Sequence, residues 1–341
     1  MKILMQGYLN AKHIGLECII ATVVSLDGSS YRRPGVRMLI TENGQMTGAV
    51  SGGCVEKEIL KQADSVFRTG APKMMTYDGR YRLGCEGTLY ILIERFAPSA
   101  AMVKSFEDAL AQRVSFEIRS YFSREPGSGG AWGSSVNFGD GKVFPFDQDS
   151  RIKTEELNKA DLFFQRMKPC FRLCIIGAEH DAAQLSLMAS GLGWEVTVVV
   201  SPSDPQTVLD FPGSDEVIHA GSEDVTLDKI NEETAVVLMT HSYVKDLQFL
   251  YALKETRPVY IGLLGPSNRR ERMLNDLMEK YPDIDVSFFD RVYGPTGLNI
   301  GAETPQEIAL SICAEILSVI RGQEPQSLKD KTGRIHYNLK L

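Results

Sequence analysis

The segment that most restricts the fold runs from Phe171 to Val200. Phe171-Arg172-Leu173-Cys174-Ile175-Ile176 is a short, mostly apolar run. That is the pattern of a strand buried on both faces of a parallel sheet. Gly177-Ala178-Glu179-His180-Asp181-Ala182 follows and opens a helix reaching Leu192. Gly193-Trp194 then turns the chain into a second apolar strand, Glu195 to Val200. Strand, glycine turn, helix and strand in this order form a βαβ unit of the dinucleotide-binding type. The alternation continues with strand Ala235–Thr240, helix Tyr243–Thr256, strand Val259–Leu264 and helix Ser267–Lys280. A last helix starts at Pro305, a residue suited to a first turn, and runs to about Arg321. Residues 168–322 are therefore expected to form a Rossmann-like, doubly wound parallel-sheet domain of α/β class, with 323–341 as a polar tail.

The first half has a different rhythm. Glu17 to Ser25 is β-branched and apolar and reads as a strand. Val36–Thr41 and Gln45–Val50 flank Glu42-Asn43-Gly44, a strong hairpin signal. Lys73–Tyr77, Thr88–Arg95 and Ser115–Phe122 read as further strands, and Pro98–Gln112 as a helix. Ser123 to Gly141 is rich in Gly and Ser and reads as a loop or hairpin tip carrying Trp132 and Phe138. Thr154–Met167 is expected to be helical, with Pro169 marking the domain boundary. Residues 1–167 are thus expected to be an α+β domain.

This domain carries the cysteine motifs. The apolar stretch Met46–Val50 runs into Gly52-Gly53, and Cys54–Phe67 follows with apolar residues at Val55, Ile59, Leu60, Ala63 and Phe67. That is helical spacing. Cys54 thus opens a helix behind a turn where backbone can approach a ligand. The positive end of the helix dipole favours thiolate, the reactive and metal-binding form. A second glycine-flanked cysteine lies in Leu83-Gly84-Cys85-Glu86-Gly87. Two such thiols in one small domain suggest a site. The alternative is two small residues filling tight turns.

Charge and length exclude some classes. The 341 residues carry a formal charge of −7 with no basic stripe, which argues against a nucleic-acid partner. No apolar run has membrane-spanning length, and the polar start M-K-I-L-M-Q-G-Y-L-N does not read as a signal peptide. Six dispersed cysteines then read as reduced thiols in a cytoplasmic protein.

The dinucleotide fingerprint is incomplete. Gly177 and Ala182 fit its first and third positions, but Glu179 occupies the second, where glycine admits pyrophosphate. A carboxylate adds bulk and like charge. Val200 ends the second strand where a ribose-binding acid is expected. NAD(P) binding is therefore disfavoured. His241 follows a strand, at the sheet edge where ligands bind in open α/β folds. His180 begins a helix, and Arg269 begins another after Gly265-Pro266, a setting that suits an anion. For each, a solvated or capping role is the alternative.

Together these motifs resemble the XdhC/CoxI family, accessory proteins that mature molybdenum-cofactor enzymes such as xanthine and carbon monoxide dehydrogenases. The resemblance rests on Gly28-Ser29-Ser30 with Arg33-Pro34-Gly35, on Gly48 with Ser51-Gly52-Gly53-Cys54-Val55-Glu56, and on Leu83-Gly84-Cys85. It continues through Gly177-Ala178 with His180-Asp181-Ala182, Met239-Thr240-His241, Tyr260 to Gly265, and Gly294-Pro295 to Thr304-Pro305. Glu86, Glu179 and Val200 depart from residues common in the family. The resemblance implies a chaperone that binds molybdenum cofactor transiently, protects it during sulfuration and passes it to a xanthine dehydrogenase-type molybdoenzyme. A cysteine desulfurase and a second copy of the chain are the other implied partners.

Under that resemblance the cofactor-binding residues are Cys54, Cys85, Gly52, Gly53, Glu56, Arg33, Gly177, His180, His241 and Arg269. Cys54 and Cys85 would face the molybdenum, since soft thiolate suits a sulfur-rich metal centre. Arg32 and Arg33 would pair with the phosphate. No catalytic residue is implied. Two other functions compete: an NAD(P)-dependent oxidoreductase, and a thiol redox or sulfur-transfer protein using Cys54 and Cys85.

Overall fold

Alternation along β1 (Cys18–Asp27) sets the architecture of the first half. Helix α1 (Lys2–His13) precedes it, burying Leu4, Met5, Tyr8 and Ala11 along one face. With β2 (Arg37–Thr41) and β3 (Met46–Gly48), β1 builds the expected hairpin region, Ile40 facing Met46 in register. Helix α2 (Cys54–Thr69) then leads to β4 (Lys73–Asp78) and β5 (Thr88–Arg95). These strands form an antiparallel sheet in the order β3-β2-β1-β5-β4. Ile19, Ala21 and Val23 bury against Val55, Ile59 and Ala63 of α2. Ile20 points to the other face, into a cluster with α1 and α3 (Ala100–Ala111). A second sheet completes this face: β6 (Phe116–Phe122), β7 (Gly133–Asn137), β8 (Val143–Pro145) and β9 (Asp161–Met167), ordered β8-β7-β6-β9.

The computed structural model describes residues 1–28, 33–50, 53–78, 87–125, 132–150, 160–225, 230–282 and 284–332. The chain divides into two compact units at Pro169 and Cys170.

Two expectations for the first unit are corrected. Residues 161–167 form a strand rather than the end of a helix. They pair antiparallel with β6 from Phe116↔Met167 to Phe122↔Asp161, and that ladder outweighs a spacing of apolar residues that also fits a helix. The Gly/Ser-rich stretch contains β7, and Trp132 just before it is 8% exposed, packed in a cluster with Val24, Met74, Leu92 and Phe122. Burial, rather than display at a loop tip, is what this aromatic ring does.

The second unit alternates as expected. It runs through β10 (Arg172–Ile176), α4 (His180–Gly191), β11 (Glu195–Val200), β12 (Glu216–His219), β13 (Thr234–Leu238) and α5 (Tyr243–Ala252). It continues through β14 (Tyr260–Leu263), α6 (Ser267–Lys280), α7 (Val286–Phe289), β15 (Val292–Tyr293) and α8 (Pro305–Arg321). All six strands are parallel, in the order β12-β11-β10-β13-β14-β15. This is the doubly wound Rossmann order, in which the direction of winding reverses between β10 and β13. Leu173, Ile175, Val198 and Val237 bury under α4 and α8, while Cys174, Ile176, Val236 and Leu238 bury under α5 and α6. Strands covered on both faces explain the continuous apolar runs in the sequence.

Candidate functional site

The reversal between β10 and β13 opens a crevice at the carboxyl ends of the strands. Gly177 lets the β10–α4 turn lie against β13: its φ is +144°, and a Cβ there would stand 2.4 Å from the Met239 carbonyl oxygen. The turn, β11 and β13 enclose a cavity of about 380 Å3. Glu179, Asp204, Glu223 and Asp224 line it, against one ammonium group, that of Lys245. Lys245 Nζ lies 3.0 Å from Ser201 Oγ. Glu179 stands among these four carboxylates. His180 is exposed at the first position of α4.

The next turn is tightly braced. Asp246 on α5 is 1% exposed. Its Oδ1 accepts from the Thr240 amide at 3.2 Å and the Thr240 hydroxyl at 2.6 Å. Its Oδ2 takes Arg269 Nη2 of α6 at 2.5 Å. Burial pushes the Asp246 carboxyl up, against the pull of these donors. Ser242 N in turn donates to Thr240 Oγ1 at 3.2 Å. Between the pinned residues 240 and 242, His241 adopts φ +56°, rare outside glycine. Its exposed ring has Nε2 4.0 Å from Asp181 Oδ2 on α4. The structure therefore gathers Gly177, His241 and Arg269 at one sheet edge. Arg269 acts there as a brace, with its charge committed to Asp246.

A third loop, between β15 and α8, is fixed by buried polar contacts. Tyr260 OH meets Thr296 Oγ1 at 2.5 Å and donates to Glu315 Oε2, which also accepts the Gly297 amide at 2.8 Å. Gly262 has no room for a Cβ, which would stand 2.4 Å from Thr296 Oγ1. Gly262, Gly265, Gly294 and Gly297 thus serve close packing at this edge, whereas Gly301, at φ +75°, has open space where a Cβ would stand.

In the first unit the start of α2 is organised by Glu56. This carboxylate is 6% exposed and accepts the Val50 amide at 3.1 Å and the Gly53 amide at 2.8 Å. Gly53 has φ +118°, which a side chain strains to adopt. Glu56, expected to touch the cofactor, is thus placed as the latch of the loop before Cys54. It also fills backbone donors that an incoming phosphate would otherwise use. Gly52, Cys85, Arg32 and the Cys54 side chain lie outside the described residues. Arg33 is half-buried at the foot of the turn into β2.

Cys18, Cys170, Cys174 and Cys313 form no disulfide with one another. Burial pushes Cys18 up to about 11 and both Cys174 and Cys313 up to about 12. Thiols so raised stay protonated near neutrality and are inert. Among the described residues no group of three His, Cys, Asp or Glu is arranged to hold a metal ion, and no helix is long and apolar enough to cross a membrane.

Comparison with known proteins now bears on this geometry. A model described as the XdhC and CoxI family matches residues 13–78, and one described as the XdhC Rossmann domain matches residues 173–316. A Bacillus subtilis protein named as a probable subunit of xanthine dehydrogenase is 30% identical over 323 residues, 88% of this chain and 92% of that protein. The chain belongs to the XdhC and CoxI family. Another similar protein is the molybdenum cofactor insertion chaperone PaoD of Escherichia coli, 25% identical over 319 residues, 92% of this chain and 86% of that protein. A solved structure from Bacillus halodurans described as a xanthine dehydrogenase matches with a TM-score of 0.75 at 28% identity, covering 94% of this chain and 96% of that one. In this XdhC-family chain the first matched region holds Gly53, Cys54 and Glu56, and the second holds Gly177, His241 and Arg269. Sequence reasoning missed Asp246, the hub of the sheet-edge network. Its signal was available: an acid in the first turn of a helix that follows Thr240-His241-Ser242.

Proposed function

We propose that this chain is a carrier and insertion chaperone for molybdenum cofactor, serving a molybdoenzyme of the xanthine dehydrogenase type. The observation that carries this reading is similarity to PaoD along 92% of the chain. The residues are consistent with it. Cys54 stands at the first turn of α2 behind the Glu56-latched loop, and Cys85 belongs to the second glycine-flanked motif. These two soft ligands would hold the sulfur-ligated molybdenum, with Gly52 and Gly53 alongside and Arg33 toward the phosphate. His180 and His241 would be the contribution of the Rossmann unit, on turns held by Gly177 and by the Arg269–Asp246 pair. The bound state is transient, since a carrier must release its cargo. A homodimer and a desulfurase that supplies sulfur complete the proposed setting.

The competing oxidoreductase reading is opposed by Glu179 and the acidic lining of the Rossmann crevice. The test is co-purification. Protein made in a molybdenum-replete host should carry molybdopterin, detected by its fluorescence after oxidation, and should activate the cofactor-free target enzyme. Protein that comes away without pterin and fails to activate the target sinks the reading. Micromolar NAD affinity by calorimetry would favour the oxidoreductase.

A further inference from the structure

Helix α8 turns its polar side chains inward and its leucines outward. Its buried side carries Ala309, Ile312, Cys313 and Ile316, packed on the Rossmann core. The polar residues of its middle are committed within the fold. Ser311 Oγ donates to the Leu298 carbonyl at 2.6 Å, and Ser318 Oγ to the Glu315 carbonyl at 2.7 Å. The Glu315 carboxylate accepts from Tyr260 OH and from the Gly297 amide. The opposite side carries Glu307, Leu310, Ala314, Leu317 and Arg321, in alternating steps of three and four residues that place them on one stripe. Leu310 is 49% and Leu317 37% exposed, with Ala314 half-buried between them. A helix on the outside of a folded unit normally turns a polar face to solvent. Here the charges of the stripe stand at its ends: Glu307 in the first turn, with exposed Glu303 just before it, and Arg321 in the last.

A stripe that is apolar in its middle, acidic at one end and basic at the other is complementary to itself when inverted. Two copies related by a two-fold axis present the same patch to each other. In the antiparallel arrangement Leu310 of one copy meets Ala314 and Leu317 of the other. Each Arg321 then reaches the Glu303–Glu307 turn of its neighbour, and the two helix dipoles oppose each other favourably. Ala314, small and central, lets the backbones approach. Glu307 keeps its charge, because the amides of Thr304 and Glu303 hold its carboxyl below the usual range. Parallel pairing would instead set Arg321 against Arg321 and Glu307 against Glu307, and like charges across an interface cost affinity. Two helices about 25 Å long and about 10 Å wide cover less than the roughly 1,200 Å2 at which stable interfaces begin. The association is therefore a weak, micromolar one.

We propose that the Leu310–Leu317 face of α8 is the surface on which two copies of this chain associate, antiparallel, with Arg321 of each copy paired to Glu303 or Glu307 of the other. The proposal rests on the homodimer named in the function above and on no property of the cargo. The contact is built from the Rossmann unit alone. Its end charges are exposed, so they set orientation more than affinity. Burial of the leucines supplies most of the attraction, and added salt should weaken the dimer only modestly.

Sedimentation velocity of the full chain across the micromolar range should show a reversible monomer–dimer equilibrium. Leu310→Glu and Leu317→Glu each place a charge in the apolar centre and should raise the dissociation constant by about tenfold or more. Arg321→Glu should weaken the dimer by about threefold, Glu303→Arg likewise, and the two together should restore it. Glu303 and Arg321 stand at opposite ends of one helix, about 25 Å apart, too far to pair within a chain, so restoration reads a contact between copies. All four positions are exposed, so the variants should match wild type by circular dichroism. If a leucine variant does not, the charge swap still decides. A wild type that stays monomeric throughout, a dimer that both leucine variants leave intact, or a double variant no tighter than either single overturns the proposal. A monomeric wild type whose Leu310→Glu variant no longer activates the target enzyme gives the face to that enzyme, and overturns it too. Molybdopterin fluorescence of the same preparations keeps the two readings apart. A dimer broken by the leucine variants but free of pterin sinks the chaperone and leaves the interface, and a pterin-bearing monomer does the reverse.

Discussion

A Cβ on Gly177 would stand 2.4 Å from the carbonyl oxygen of Met239. The first glycine of the fingerprint is therefore required here by the contact between two turns, independent of any nucleotide. Gly177→Ala combines a clash with backbone and a φ of +144°, and strain of this kind costs about 1–3 kcal/mol. Denaturant titration should show a loss of at least that size. It should also show that Glu179→Gly, at an exposed position, leaves stability within about 0.5 kcal/mol.

Asp246 links Thr240 to Arg269 across two helices. Removing one partner of a buried pair leaves the other charge uncompensated, a loss of about 3–5 kcal/mol. Asp246→Ala should destabilise by an amount in that range, and Arg269→Leu with Asp246→Leu together by less than Asp246→Ala alone. His241→Asn keeps a residue that tolerates φ +56°, so its stability should hold while any role of the imidazole is lost. Cofactor retention measured in His241→Asn separates the ring's contribution from that of its turn.

Glu94 sets a pH dependence whose sign is fixed. Its folded value, about 7, lies above the ordinary 4.5 because burial outweighs the Ser134 hydrogen bonds and the Arg37 charge. Asp147 pushes in the same direction as burial. The folded state thus holds the proton more tightly than the unfolded one, and stability falls as pH rises from 4.5 toward 7, then levels off. At about 1.4 kcal/mol per unit, the loss is about 3 kcal/mol. Urea titrations of wild type and Glu94→Gln across pH 4.5–8 should diverge by roughly that amount, with the variant gaining relative stability at high pH. Parallel curves would mean that the carboxyl is ionised throughout.

The Rossmann unit was legible because strands covered on both faces are apolar throughout, and Gly177, Gly193 and Pro305 punctuate them. Asp161–Met167 was not, since Leu162, Phe163 and Met167 fit either a helix or a strand, and only the β6 partner decides. Trp132 was misread for the same reason: a Gly/Ser-rich setting predicts a loop, while burial depends on distant Val24, Met74 and Leu92. The site was legible as motifs but not as roles. Glu56 and Arg269 sit beside the expected features, yet the hydrogen bonds that make them a latch and a brace come from Val50, Gly53 and Asp246.

The Glu56 latch bears on how the two cysteines divide their work. A helix start offers about 0.3–1 kcal/mol to a thiolate, less than one unit of depression from the usual thiol value of about 8.5. Glu56 places a carboxylate in that same first turn and draws on its donors. Loss of the latch should cost about 1.5–3 kcal/mol, the value of hydrogen bonds to a charged group. Glu56→Ala should therefore lower stability by that much, while Cys54→Ser leaves it nearly unchanged. Cofactor retention should rank differently. Cys54→Ser should lose most of the bound molybdenum cofactor, and Cys85→Ser less. If Cys54→Ser keeps full cofactor and full activation of the target enzyme, the cysteine is a packing residue and the sulfur-ligand role goes with it.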